Sequence, residues 1–78
     1  MSDFATLDDV ITLTGKAFTT AEQERIEALL PLVSDLIRSE GEKYGKDIDA
    51  MVSDSASYAS VVKLVTVDVV LRILRQTT

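Results

Sequence analysis

Histidine and cysteine are both absent from this sequence of 78 residues. Without cysteine the chain has no disulfide bonds, thiolate nucleophiles or thiolate metal ligands, and without histidine it lacks the commonest catalytic base. The three glycines are too scattered to form a loop that cradles phosphate. Asp47 and Asp49 begin like a calcium loop, but Met51 stands where the next ligand is needed. We therefore expect no catalytic residue, no metal and no cofactor.

Long hydrophobic runs are also absent, since no uninterrupted apolar stretch exceeds three residues. A transmembrane helix needs about 20. The opening MSDFATLDDV has no basic residue before an apolar run, so we expect no secretion signal and no membrane association. The net charge of -5 argues against a function in which the chain wraps nucleic acid, because phosphate binding depends on clustered lysine and arginine.

Helix start and stop signals occur twice in the first part of the chain. Thr6 with Asp9 has the spacing of a capping box, in which two side chains each accept a backbone N–H. The second start signal is a double one, because Thr19 with Glu22 and Thr20 with Gln23 both have this spacing. Gly15 has the character of a helix C-cap. The sequence therefore predicts a short first helix from about residue 7 to 14, and a second helix that begins after Thr19.

The second helix is predicted to be long and amphipathic, because apolar residues recur at three- and four-residue steps. Pro31 lacks the N–H that would bond the carbonyl of Glu27, so we expect a kink there and no break. Gly41 or Gly45 is expected to end the helix. The segment 46–57 then reads as a loop with at most one helical turn. The apolar positions of the second helix are Ile26, Leu29, Leu30, Val33, Leu36 and Ile37.

The last segment, 60–78, is rich in valine, leucine and isoleucine, which make up ten of its nineteen residues. Alternating valines give it some strand character. A helix is favoured because the segment has no glycine, proline or asparagine, and Asp54 or Ser55 can cap it. We predict an all-α single domain over residues 1–78: a short N-terminal helix, a long amphipathic helix and a long apolar C-terminal helix.

The predicted C-terminal helix has two apolar stripes. One consists of Val67, Val70, Leu71 and Leu74, and the long second helix can cover it. The second stripe consists of Val62, Val65, Val69 and Ile73. A chain of this size buries only about 60% of the surface that it exposes when unfolded, so this second stripe is harder to cover. Either the first helix and residues 48–52 cover it, or it meets a neighbouring subunit. We predict the second, with an interface of Val62, Val65, Asp68, Val69, Arg72, Ile73 and Arg75.

Three stretches of the chain resemble the head-tail connector proteins of tailed phages, also called adaptor or head completion proteins. They are FATLDDVITLTG, TTAEQERIEALLPLVSDLIRSEG and VVKLVTVDVVLRILRQ. The resemblance implies an all-helical structural subunit, without enzymatic activity, that forms a ring-type homo-oligomer of about a dozen copies below the portal. It also implies assembly in the host cytoplasm, a place in the virion neck, contacts with portal and with tail or stopper proteins, and a lumen through which DNA passes without sequence-specific binding.

Two other function classes are possible alternatives. Ser55 follows an aspartate, as does the serine of acyl carrier proteins that holds phosphopantetheine, but Ala56 stands where those proteins have leucine and only one helix follows. A small helical regulator that binds DNA would need a basic recognition helix. The basic residues of the last helix, Lys63, Arg72 and Arg75, are embedded among valines and offset by an aspartate.

Overall fold

The computed structural model describes residues 3–76, and in that range the chain forms four α-helices and no strand. α1 spans Leu7–Thr14, α2 Thr20–Lys43, α3 Ile48–Asp54 and α4 Ala56–Gln76. Helix accounts for 81% of the residues described. The prediction of an all-α bundle with a short first helix and long second and last helices is confirmed. Within residues 3–76 no helix has the length and hydrophobicity needed to cross a bilayer.

The capping boxes at Thr6 and Thr19 are present, whereas Thr20, the other candidate, is the first residue of α2. The Thr6 hydroxyl accepts the N–H of Asp9 at 3.1 Å, and the Asp9 carboxylate accepts the N–H of Thr6 at 2.9 Å. Thr19 and Glu22 make the same pair of hydrogen bonds, at 3.1 and 2.9 Å. Gly15 ends α1 in the left-handed region, with φ of 65°. These local interactions set the start of α1, its end and the start of α2 as predicted.

α2 continues through Pro31, so the predicted continuity is confirmed, and the kink at that point stays a prediction. The helix ends in a Schellman motif around Gly45, whose φ is 69°. In this motif the N–H of Lys46 donates to the carbonyl of Gly41 at 2.9 Å, and the N–H of Gly45 donates to that of Glu42 at 3.0 Å. Gly45 is thus the residue that ends the helix.

Gly41 lies inside α2 and has a different role. Its surface is buried, and a Cβ added there would come within 2.7 Å of the Ile48 Cδ1 atom and 3.4 Å of the Lys46 carbonyl oxygen. The absence of a side chain therefore lets Ile48 pack directly on the backbone of α2. Ile48 is the first residue of α3, a two-turn helix capped by Asp47 where we had predicted a loop.

The main core lies between α2 and α4, which run antiparallel. The beginning of α2 and the last turns of α4 line one hollow, to which Phe18, Glu22 and Arg75 contribute. At the other end, the short α3 brings the chain from the end of α2 back to the start of α4. The buried core residues of α2 are Ile26, Leu30 and Val33; those of α4 are Val67, Val70 and Leu74.

α1 covers one side of this core through Val10, which is fully buried. Asp9, on the exposed end of α1, forms an ion pair with Lys63 of α4 at 3.6 Å. The hydrogen bond from the Thr6 N–H lowers the pKa of Asp9 below its ordinary value of 3.8, and the charge of Lys63 acts in the same direction. The carboxylate therefore stabilises both the start of α1 and its contact with α4.

Arg38 joins the other peripheral segments to α2. Its guanidinium bonds Asp49 of α3 at 2.9 Å and Asp35 at 3.0 Å, and lies 4.3 Å from the centre of the Phe4 ring. The hydrogen bond to Asp49 raises the pKa of Arg38, so it stays charged although it is buried. Phe4 is held further by its N–H, which donates to Ser34 at 3.0 Å. One side chain thus contacts three segments.

Gly41→Ala is expected to cost about 1–3 kcal/mol of overpacking, because the new methyl group would displace Ile48. Alanine regains roughly 1 kcal/mol over glycine in a helix, so the net destabilisation should be up to about 2 kcal/mol. Urea unfolding measures it. In an Ile48→Ala background the displaced side chain is gone, so Gly41→Ala should there be neutral or stabilising. Equal destabilisation in both backgrounds would contradict the proposed contact.

Asp9→Asn is expected to lower the melting temperature at pH 7. Because the pKa of Asp9 is lower in the folded state, its contribution is present above its unfolded pKa of about 4 and is lost as pH falls through the folded pKa. The difference between wild type and Asp9→Asn should therefore shrink as pH falls from about 5 to 2. Asp8→Asn, an exposed aspartate in the same turn, is the control. A difference that does not change with pH would contradict this role of the Asp9 charge.

Candidate subunit interface

The buried face of α4 includes a polar residue, Thr66, which has no exposed surface. Its hydroxyl donates to the carbonyl of Val62 at 2.7 Å, so the side chain enters the core with its hydrogen-bonding group satisfied. Val62 and Thr66 lie one turn apart and extend the buried line formed by Val67, Val70 and Leu74 toward the start of the helix. The core side of α4 therefore includes Val62, which we had assigned to the second stripe.

The structure divides the seven predicted interface residues into three groups: buried, half-buried and exposed. Val62 is buried inside the subunit. Val69 and Ile73 are half-buried and pack against the core. Val65 is 45% exposed and is the apolar member of the set that faces solvent. The three charged members are all exposed: Asp68, Arg72 and Arg75.

The most exposed apolar surface of α4 includes two residues that were not predicted. Val61 and Leu64 are 54% and 56% exposed and lie beside Val65. Their spacing of three and one places them on one side of the helix. The same spacing continues to Asp68, so the sequence contains a signal for this side of the helix. That signal can be recognised only when Val62 and Thr66 are known to face inward. Val61, Leu64, Val65, Asp68, Arg72 and Arg75 form what we call the outward face of α4.

The outward face changes character along the helix. Its first half is apolar. In its second half Asp68 and Arg72 form an i,i+4 ion pair at 2.9 Å, and the Nε of Arg75 donates to the carbonyl of Leu71 at 3.4 Å. Exposed pairs of this kind contribute little stability, about 0.3–0.5 kcal/mol. The outward face is therefore an apolar patch bordered on one side by charged side chains.

Comparison with known proteins identifies the chain's family. Residues 14–78, which include everything after α1, match the family described as phage protein Gp19/Gp15/Gp42. This chain belongs to that family. No curated protein and no solved structure matches it. The Gp19/Gp15/Gp42 family is a phage structural family, which makes the chain a phage protein and supports a place in the virion.

The residues on which the alternative functions depend have structural partners in this Gp19/Gp15/Gp42 protein. The Ser55 hydroxyl accepts the N–H of Tyr58 at 3.2 Å and caps α4. Lys63 and Arg72 are paired with aspartates. Among the residues that the structure describes, no group of three acidic side chains is placed to hold a metal ion. None of these local roles explains why the first half of the outward face of α4 is apolar and exposed.

Val62→Asp and Val65→Asp should differ sharply in stability, although the two valines are three residues apart. The first places a charge in the core and is expected to cost several kcal/mol. The second replaces an exposed side chain, and valine and aspartate have similar helix propensities, so it should cost about 0.5 kcal/mol or less. Thermal unfolding followed by circular dichroism measures both. Equal losses would show that Val65 is buried in the isolated subunit.

Proposed function

We propose that this chain is a head-tail connector, or adaptor, subunit of a tailed phage. It forms a ring-type homo-oligomer below the portal, in the neck of the virion, and links the DNA-filled capsid to the tail or stopper proteins. The protein has no enzymatic activity and no cofactor, and its function is to hold neighbouring proteins in position. The proposed role is more specific than membership of a phage structural family.

One observation carries the proposal, namely the exposed apolar half of the outward face of α4. Three side chains of valine and leucine, each about half exposed, lie together on one helix of a small acidic protein. Such a patch is unfavourable in water unless another surface covers it. In a structural protein of the phage particle, a neighbouring subunit is the natural partner, and a ring lets every copy cover the same patch.

The charge of the chain agrees with a DNA conduit. With a net charge of -5, subunits arranged around a channel repel phosphate groups, so DNA can pass without being bound. Lys63 and Arg72, two of the basic residues of α4, are engaged with aspartates of the same subunit. The proposal therefore does not require contacts with bases or specific binding of the genome.

Light scattering over a concentration series, alone and with the portal protein, tests the proposal. We expect assemblies larger than a monomer in at least one of the two conditions. Val65→Asp should weaken assembly by on the order of 100-fold, because the interface would then bury an uncompensated charge. A chain that stays monomeric both alone and with the portal would contradict the proposal.

Leu13→Asp is the matched control, since Leu13 lies on α1 and is 49% exposed, close to the value for Val65. It should assemble as the wild type does. Val69→Asp is less informative, because Val69 packs partly against the core and a loss of assembly could reflect a loss of stability. Wild-type assembly by Val65→Asp would place the interface elsewhere.

A further inference from the structure

α3 and α4 are separated by a single residue, Ser55. Its φ of -138° and ψ of 117° belong to the extended region, which any residue can adopt. No glycine or proline, the residues that disfavour a helix most, occurs between residues 46 and 76. The local sequence therefore does not prevent α3 and α4 from forming one continuous helix over residues 48–76.

The backbone hydrogen bonds of Ser55 already have the spacing of a continuous helix. Its N–H donates to the carbonyl of Met51 at 3.2 Å, and its carbonyl accepts the N–H of Ala59 at 3.0 Å. The N–H of Tyr58 donates to the Ser55 hydroxyl at 3.2 Å. A helical backbone at Ser55 would let residues 56–58 donate to the carbonyls of residues 52–54. A conformational change at one residue would therefore complete the helix.

Contacts with α2 hold α3 in its present position, which we call the bent form. Ile48 is buried against the backbone of Gly41, and Asp49 pairs with Arg38 at 2.9 Å. α3 also packs against α4. Apart from the Ser55 cap, the bend is therefore maintained by tertiary contacts, and a partner protein can compensate for their loss.

The loop between α2 and α3 is long enough for the two helices to join. In one helix, residues 48–55 would place Ile48 about 12 Å beyond the present start of α4. With helix axes about 8–10 Å apart, Ile48 would then lie about 15 Å from the end of α2. The chain from Lys43 to Ile48 can span about 17 Å when it is extended. Joining the helices therefore does not require α2 to unfold.

A continuous helix would also lengthen the outward face of α4. At about 100° per residue, Met51 and Tyr58 would lie within about 40° of Val65, because the three are spaced seven residues apart. In the bent form Met51 and Tyr58 are half-buried. In the extended form, which has one helix over residues 48–76, they would continue the apolar line of Val61 and Val65 toward the N-terminus of the helix.

We infer that Ser55 is a conformational switch, at which α3 leaves α2 and joins α4 in one helix. The bent form is favoured in the isolated subunit because it buries Ile48 and pairs Asp49. A neighbouring protein that covers the lengthened outward face binds the extended form more tightly and so shifts the equilibrium toward it. The part played by the neighbour rests on the proposed function, whereas the switch itself does not.

Two substitutions at Ser55 shift this equilibrium in opposite directions. Alanine is a good residue inside a helix and a poor N-cap, so Ser55→Ala favours the extended form. Glycine is poor inside a helix and a tolerable N-cap, so Ser55→Gly favours the bent form. The two variants form a matched pair that differs by one methyl group. The ratio of extended to bent form should be on the order of tenfold higher with alanine.

Backbone chemical shifts and amide exchange measure the switch when both variants are made in an Ile48→Ala, Asp49→Asn background, which removes the two contacts with α2. With Ser55→Ala we expect helical shifts from residue 48 through residue 76, including residue 55, and slower exchange of the amides of residues 56–58. With Ser55→Gly the break at residue 55 should remain. A break that persists with Ser55→Ala, or loss of helical shifts over residues 48–54, would overturn the switch.

Light scattering of Ser55→Ala and Ser55→Gly in the otherwise natural chain, alone and with the portal protein, tests the part played by the neighbour. Ser55→Ala should assemble at concentrations on the order of tenfold lower than Ser55→Gly. Equal assembly of the two would overturn the coupling to the outward face and leave the connector function intact. A switch seen in the chemical shifts of a chain that never assembles would support the switch and contradict the connector function.

Discussion

The antiparallel contact between α2 and α4 determines the rest of this structure. Each helix has a long apolar line, and the two lines meet along Ile26, Leu30 and Val33 on one side and Val67, Val70 and Leu74 on the other. Because an α-helix is rigid, burying one side of α4 also decides which residues lie on the opposite side. The position of Val61, Leu64 and Val65 in solvent is therefore a direct result of how the core is packed.

The ends of the helices could be predicted from the sequence because they depend on contacts three or four residues apart. Thr6 with Asp9, Thr19 with Glu22, and Gly15 each act within a single turn. α3 also has a local cap, Asp47, but a helix of two turns is too short to be stable from local contacts alone. It depends on Ile48 meeting the backbone at Gly41, a contact that exists only when the chain has already turned back on α2.

The direction in which α4 faces was predicted only in part, for a similar physical reason. Apolar spacing identified the core residues Val67, Val70 and Leu74, but Thr66, a polar residue, was assigned to neither stripe. Its hydroxyl is satisfied by the carbonyl of Val62 within the helix, so burial does not leave an unpaired polar group. With Thr66 buried, the side of α4 that faces the core also includes Val62. Leu64, which had been assigned to neither stripe, then lies on the outside of the helix.

The contacts of Arg38 have a consequence for how the molecule opens. Its guanidinium touches Phe4, Asp35 and Asp49, so the residues before α1, the second half of α2 and α3 share one anchor. Releasing any one of them removes a neighbour that helps to keep the charge favourably placed in the interior. These segments should therefore detach together as one cooperative unit, and not fray independently from the two ends of the chain.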